Sequence, residues 1–408
     1  MKIERIRVDK CVYGGEGLGK LRDGRSVFVP YVFPGEEVDI HITQNKKRYA
    51  KAVPVQWFSI SPDRIQPPCP YFGDCGGCHY QFLRYGDQVE LKERILADQF
   101  QRLAAIDSVP LRVVELSEKE YHYRNTIQLH VADDGQLGYL RHNTHELVPV
   151  DDCLLSKGNI KKFIKQLSLL PEMQINSIQF RWDSNDEVLI LMDSDDVVPP
   201  EISIDFSASI VHLSPAGELV LAGEGVQVFE INGVSFEVSA QSFFQANTMI
   251  AERMVSFVQQ HVSNLTNGGV FLDLYSGVGL FTRFLADAFN RCIAIESSPS
   301  AMRDFVVNLD QFENIEAYEG LVESILPSLE VNPSVVLMDP PRAGIAATVG
   351  DWLAEKQVPL ILYVSCDPST LARDIKRLTK KGYQLQEVAL FDQFPQTYHI
   401  ETISILTL

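Results

Sequence analysis

The sequence predicts an α/β protein in which a small closed β-barrel and a β-rich middle precede a doubly wound parallel sheet. Three observations carry this reading. Short apolar runs separated by turn residues fill the first 57 positions, the pattern of a small barrel. Residues 111–230 read mostly as strands. From about residue 240, apolar strand-like runs alternate with segments long enough for helices, as in a parallel sheet covered on both faces. A chain of 408 residues, 45% hydrophobic, can support two or three domains, and the boundaries fall at 1–57, 58–239 and 240–408.

The barrel strands are expected at Ile3–Arg7, Ser26–Tyr31, Glu37–Ile42 and Ala50–Trp57, with turns at Gly14-Gly15, Asp23-Gly24 and Pro34-Gly35. Lys46-Lys47-Arg48-Tyr49 sets cations beside an aromatic ring, which suits either a solvated hairpin end or an RNA-contacting face. A Pro- and Gly-rich knot, "PPCPYFGDCGGCHYQ", follows at residues 67–81 and leads into a helix over Tyr85–Leu103. Turns at Asp134-Gly135 and Asn232-Gly233 punctuate the middle. The strands of the last part are Val270–Tyr275, Cys292–Ile295, Ile315–Tyr318, Val335–Met338 and Leu360–Val364. No helix separates Leu385–Leu390 from Ile400–Leu408, so the final segment is expected to close the sheet as an antiparallel strand.

A formal charge of −18 argues against indiscriminate nucleic-acid binding through a uniformly basic surface. The charge is uneven. Residues 1–55 hold eleven Lys/Arg against seven Asp/Glu, a local +4 that leaves −22 for the rest. The charged N-terminus and the lack of a long apolar run predict no signal peptide and no membrane span, hence a cytoplasmic protein. The seven cysteines then point to metal or catalytic use rather than disulfides.

"FLDLYSGVGLFTRFLA" places Asp273, Gly277 and Gly279 at a strand-to-helix turn, where glycines let backbone approach a ligand. Glu296 ends the next strand, where a carboxylate can accept from both hydroxyls of a ribose. The third glycine of a dinucleotide fingerprint is missing, so adenosine without a diphosphate fits better, and S-adenosylmethionine is favoured over NAD. Asp339-Pro340-Pro341-Arg342 stops the fourth strand with a rigid lip at the carboxyl edge of the sheet. Cys366 ends the fifth strand at that edge. Asp367-Pro368-Ser369 can cap the following helix, a setting expected to stabilise a thiolate. Glu401, at the start of the final strand, is a candidate proton acceptor. Cys69-x5-Cys75-x2-Cys78, with Cys153 downstream, supplies four thiolates that suit tetrahedral zinc or an iron–sulfur cluster equally by spacing. Cys11 and Cys292 read as packing residues.

Together "FFQAN", "DLYSGVG", Glu296, "DPPR", "YVSCDP" and "FPQTYHIE" resemble the S-adenosylmethionine-dependent RNA uracil-C5 methyltransferases, over about residues 240–408. The first fifty-odd residues resemble the TRAM module, an OB-like RNA-binding barrel, and "YRNTIQLHV" with "LGYLRHNTHELVPVDDC" resembles the family's central domain. "YRNT" departs from a form that more often ends in a basic residue. By position, the resemblance implies cofactor binding at Gln245, Tyr275, Glu296 and Asp339, a nucleophile at Cys366 and a proton acceptor at Glu401. It also implies a 4Fe-4S cluster on Cys69, Cys75, Cys78 and Cys153, a Rossmann-like catalytic domain, and a monomer acting on RNA, with 23S rRNA preferred and tRNA as the alternative.

Such chemistry explains the residue types. C5 of uracil is a weak nucleophile, and a thiolate added at C6 turns the ring into an enolate that can accept a methyl group. A base must afterwards remove the C5 proton, and the uridine must leave its stack to be reached. Three other readings account for less. A radical methylthiotransferase needs a C-x3-C-x2-C triad, which is missing; an amino-group methyltransferase needs no cysteine; a non-catalytic RNA-binding or ribosome-assembly factor needs none of the candidate catalytic residues.

Overall fold

The computed structural model describes residues 3–167, 173–202, 204–263 and 268–408. Strands β1 (Ile3–Cys11), β2 (Glu16–Lys20), β3 (Ser26–Pro30), β4 (Glu37–Asn45) and β5 (Tyr49–Ser59) close into a barrel in the order β1-β2-β3-β5-β4. Alternation along β1 turns Ile6 and Val8 inward, where they meet Val27, Val29, Val38, Ile40 and Ala50. Strand β2, "EGLGK", is not among the apolar runs of the sequence. It has one large apolar residue, Leu18, and is held by pairing to β1 and β3 rather than by its own pattern. Lys46, Lys47 and Arg48 lie exposed at the β4–β5 connection.

After the cysteine knot, α1 (Tyr85–Gln99) runs on through one π turn to Ala104. Its buried face, Leu91, Ile95, Leu96 and Phe100, joins the core of the catalytic half. Strand β6 (Leu111–Glu115) also leaves the middle: it pairs in parallel with a strand of the catalytic sheet. The middle sheet proper comprises β7 (Thr126–Val131), β8 (Leu137–Leu140), β9 (Leu147–Pro149), β10 (Ile175–Trp182), β11 (Val188–Ser194), β12 (Ser209–Ser214) and β13 (Gly217–Ala222), in the order β13-β12-β11-β10-β7-β8-β9. Helix α2 (Ile160–Ile164) packs Phe163 on the core formed by Ile127, Leu129, Phe180 and Trp182. Hairpin β14 (Val226–Ile231) and β15 (Val234–Ser239) turns at Asn232-Gly233, both in the left-handed region that such a turn needs.

Helix α3 (Thr248–Val262) leads into the alternating part: β16 (Val270–Leu274), α4 (Leu280–Leu285), β17 (Arg291–Glu296), α5 (Pro299–Asn308), β18 (Ile315–Glu319), α6 (Val322–Ile325), β19 (Val335–Met338), α7 (Ala347–Glu355), β20 (Leu360–Ser365), α8 (Pro368–Thr379), β21 (Gln384–Phe391) and β22 (Glu401–Thr407). The sheet order is β18-β17-β16-β19-β20-β22-β21-β6. All residues of β19 and β20 are buried, as expected where helices cover both faces. Strand β22 is antiparallel as expected, but it lies inside the sheet between β20 and β21 rather than at its edge. Strand order reverses between β16 and β19, so the crevice at their carboxyl ends is where a ligand fits an open α/β sheet.

Candidate active site

At that crevice Tyr275 adopts φ 64°, unusual for a residue with a side chain, and its N–H donates to the Ile295 carbonyl at 2.9 Å. Gly277 (φ 55°) and Gly279 (φ 89°) then start α4 for different reasons. A Cβ on Gly279 would strike Leu309 at 2.3 Å, whereas one on Gly277 would meet nothing within 4 Å. Gly279 serves packing; Gly277 borders open space.

Glu296 ends β17 and is pinned there: Oε2 accepts from the Gly277 N–H at 2.9 Å and Oε1 from the Ser298 N–H at 2.7 Å. Asp339 follows β19, its N–H donating to the Leu274 carbonyl at 3.2 Å. Beneath them Asp273 accepts from Thr282 Oγ1 at 2.6 Å through Oδ2, while its buried Oδ1 has no hydrogen-bond partner among the described residues. Burial, followed by neighbouring carboxylates, raises both Asp273 and Asp339 to about 7. The switch point thus has an acid-lined lip with an orphaned acceptor and an open glycine, a setting for a cationic nucleoside.

Tyr275 donates its hydroxyl to Glu323 Oε1 at 3.2 Å. Gln245 is buried just ahead of α3, and its Oε1 accepts from Gln393 Nε2 at 2.9 Å. The Gln245 carbonyl accepts from Asn125 Nδ2 at 2.8 Å, and the Asn125 N–H donates to the Ala246 carbonyl at 2.9 Å. The asparagine of "YRNT" therefore ties the middle sheet to the Gln245 segment.

Cys366 and Glu401 meet through strand register. β20 and β22 are antiparallel with Ser365 opposite Thr402, so Cys366 follows the end of β20 beside the start of β22 at Glu401, whose carboxylate bears on the thiol. Thr402 Oγ1 donates to the Ser365 carbonyl at 3.3 Å and fastens this end. Cys366 is part-exposed, and Glu401 is only 6% exposed. The expected thiolate stabilisation by α8 is not what the free protein provides. Asp367 Oδ1 takes the Ser369 and Thr370 N–H groups itself, at 2.9 and 3.0 Å. Burial first, then Glu401 and Asp339, push the Cys366 thiol up to about 12, with Arg342 acting in the opposite direction. Burial and Asp339 likewise hold the Glu401 carboxyl well above the usual carboxylate range, again opposed by Arg342.

Two contributors had no role in the sequence reading. Arg342, inside the "DPPR" motif, sets Nη2 3.2 Å from His399 Nδ1 and is the cation bearing on both Cys366 and Glu401. Tyr13, from the barrel, donates its hydroxyl to the Cys366 carbonyl at 3.2 Å across a separation of 353 residues. An arginine beside two prolines at a strand end was a usable signal; nothing local marks Tyr13.

Cys69, Cys75, Cys78 and Cys153 come together away from this edge. They line one cavity with Gln81, Arg124 and Tyr139, none is in a disulfide, and the Gly77 N–H donates to Cys75 Sγ at 3.4 Å. Burial and the other thiols' charges raise Cys75 to about 11 and push Cys69 and Cys78 up too, although a backbone N–H opposes the shift at Cys69 and Cys75 and Gln81 opposes it at Cys78. Among the described residues no group of three or more His, Cys, Asp or Glu is placed to hold a metal ion. A separate cavity between the barrel and α1, bordered by Lys10, Phe33, Asp87 and Glu90, shares no lining residue with either site. No helix among the described residues is long and apolar enough to cross a membrane.

This sheet order, with a nucleoside-type lip at the switch point and a barrel in front, is that of an S-adenosylmethionine-dependent methyltransferase joined to an RNA-binding module. The family model for tRNA (uracil-5-)-methyltransferases matches residues 205–318 and 317–407, and that for the TRAM domain matches residues 2–55. An uncharacterized RNA methyltransferase of Aquifex aeolicus is 32% identical, with 98% of each chain covered, and one of Thermotoga maritima is 31% identical with the same coverage. The solved tRNA (uracil-54, C5)-methyltransferase of Pyrococcus abyssi, in complex with S-adenosyl-L-homocysteine, superposes with a TM-score of 0.76 at 24% identity, covering 98% of this chain and 100% of that one. The chain belongs to the RNA uracil-5-methyltransferase family and is an S-adenosylmethionine-dependent enzyme of that class.

Proposed function

We propose that this enzyme methylates C5 of a uridine in 23S rRNA through a transient bond between Cys366 and C6, with Glu401 removing the C5 proton. The observation that supports the reading is that Cys366, just past the end of β20, has Glu401 at the start of the paired β22 and Asp339 as its charged neighbours, on the edge where β17 ends in Glu296. Gln245, Tyr275, Glu296 and Asp339 would hold S-adenosylmethionine, which supplies an electrophilic methyl group on a cationic sulfonium when bound. The acid-lined lip suits that charge.

The chain's own residues do the rest. Ionised Cys366 adds to C6, and the electron pair of the C5–C6 double bond moves onto the C4 carbonyl. C5 then takes the methyl group and carries it together with its proton. Glu401, ionised at this stage, accepts that proton; the double bond reforms and sulfur leaves as thiolate. Arg342 is the positive side chain that draws Cys366 toward its ionised form.

Preference for 23S rRNA rests on the joint presence of the barrel and the four-cysteine group. A tRNA uridine is the second reading, favoured by the match to the tRNA (uracil-5-)-methyltransferase family. Mapping 5-methyluridine in total RNA from cells with and without this protein decides between them. A site lost from 23S rRNA supports the first and a site lost from tRNA the second; no lost site in any RNA overturns both.

We infer further that the four thiols hold a 4Fe-4S cluster. The family resemblance is what favours a cluster over zinc, and the four thiols line one cavity with no disulfide among them. A cluster of several irons accepts thiolates spread around one cavity, and an N–H donated to a ligand sulfur is usual for one. It would staple the 69–78 knot to Cys153. Anaerobically purified protein is expected to contain iron and acid-labile sulfide in equal amounts, both lost from a Cys78→Ser/Cys153→Ser variant. Zinc in their place, or folded active protein with neither, would refute this.

A further inference from the structure

The loop from Asp392 to Ile400 delivers Glu401 to the site, and its fixed points around Gln396 belong to distant parts of the chain. Gln396 sits in the left-handed region at φ 68°, a conformation that persists when surrounding groups over-determine it. Gln88 of α1 grips this residue twice: its Nε2 donates to Gln396 Oε1 at 2.9 Å, and its Oε1 accepts from the Gln396 N–H at 3.0 Å. The Gln396 carbonyl accepts from the His79 and Tyr80 N–H groups at 2.8 and 3.0 Å. One turn along α1, Lys92 is fully buried, its Nζ 2.6 Å from Asp392 Oδ1 and 3.0 Å from the Phe394 carbonyl. Within the loop, Thr397 Oγ1 donates to the Phe394 carbonyl at 2.9 Å and accepts from the His399 N–H at 3.3 Å, so a displacement at Gln396 is carried toward β22.

The far end of α1 holds the nucleophile's side. Gln99 Oε1 accepts from Ser369 Oγ, in the first turn of α8 and three residues after Cys366, at 3.2 Å. Lys376 of α8 donates to the Leu103 carbonyl at 2.9 Å. One rigid helix therefore references both reacting side chains. A fully buried Lys–Asp pair is a poor source of stability, because desolvation offsets the attraction and apolar residues of like volume do as well or better. Its geometric effect is specific: it fixes where the loop starts.

We propose that Gln88 and Lys92 are positioning residues for Glu401, setting the place at which its carboxylate meets the C5 proton. This rests on the reading of Glu401 as the base. A misplaced base leaves thiolate addition and methyl transfer intact and slows only release, so the enzyme should stall as a covalent, methylated RNA–protein adduct. A merely structural role would lower activity without that species.

The test uses full-length Gln88→Leu, a Lys92→Met/Asp392→Leu double variant that replaces the pair with apolar groups, and Glu401→Gln. Adduct is read on denaturing gels with RNA and methyl-labelled S-adenosylmethionine. For Gln88→Leu and the double variant, kcat is expected to fall roughly 10- to 100-fold, with KM for both substrates within about twofold of wild type and adduct accumulating as in Glu401→Gln. Adduct in Glu401→Gln but in neither α1 variant, whether these turn over normally or lose activity, overturns the positioning role. No adduct in Glu401→Gln overturns the base assignment itself. The double variant also decides the matter if Gln88→Leu does not fold.

Discussion

Cys366→Ala is expected to lose methyl transfer to RNA by roughly four orders of magnitude or more, the scale at which removing a covalent nucleophile usually registers. S-adenosylmethionine binding should persist, because Tyr275, Glu296 and Asp339 stand at other strand ends, Gln245 lies in the segment before α3, and none depends on the thiol for a hydrogen bond. Labelled-methyl incorporation and cofactor titration measure the two separately. Turnover within tenfold of wild type would end the covalent mechanism and favour direct transfer to an amino group. The thiol's titration adds a second handle. Held near 12 by burial and by Glu401 and Asp339, Cys366 is almost wholly protonated at neutral pH in the free protein. Its alkylation rate should climb roughly tenfold per pH unit from about 8 to 11. Arg342 pulls the thiol down, so Arg342→Gln should shift that climb to higher pH and slow alkylation at any fixed pH within it.

Glu401→Gln has the second largest expected effect, of a different kind. The amide cannot accept the C5 proton, so each enzyme should transfer one methyl group and stop as an adduct stable to denaturing gels, with steady-state turnover down about 10²- to 10⁴-fold. Full turnover without adduct would remove Glu401 from the mechanism. The same substitution should change stability with pH. A carboxyl whose pKa rises on folding favours the fold while protonated. Its contribution is complete below the unfolded value of about 4.3 and is lost as pH rises through the folded value, which lies well above that. Glu401→Gln, free of that ionisation beside Asp339, is expected to melt at a higher temperature than wild type at alkaline pH and close to it in acid.

The site was legible to the extent that its residues sit at strand ends. Asp273, Glu296, Asp339 and Cys366 each terminate or border an apolar run that is recognisable alone, and a parallel sheet brings such ends to one edge. The state of the thiol was not legible. Asp367 read as a helix cap that would help a thiolate, yet that carboxylate consumes the N–H groups in question. Arg342 could be seen but not weighed, since its influence depends on how near Glu401 and Cys366 come to it. The barrel's β2 escaped because pairing, not its own apolar content, makes it a strand.

By itself the amino-acid sequence determined the alternation of strand and helix, the barrel, the motif set and the residue types that the chemistry requires, because each is a local pattern of a few to a few dozen residues. Only the tertiary structure decided that β6 joins the catalytic sheet, that β22 lies inside it, that Tyr13 reaches Cys366, and that α1 braces the loop before Glu401. These are encounters between segments far apart in the chain. No local periodicity encodes them; they are settled by which buried faces and polar groups satisfy one another once the chain has closed on itself.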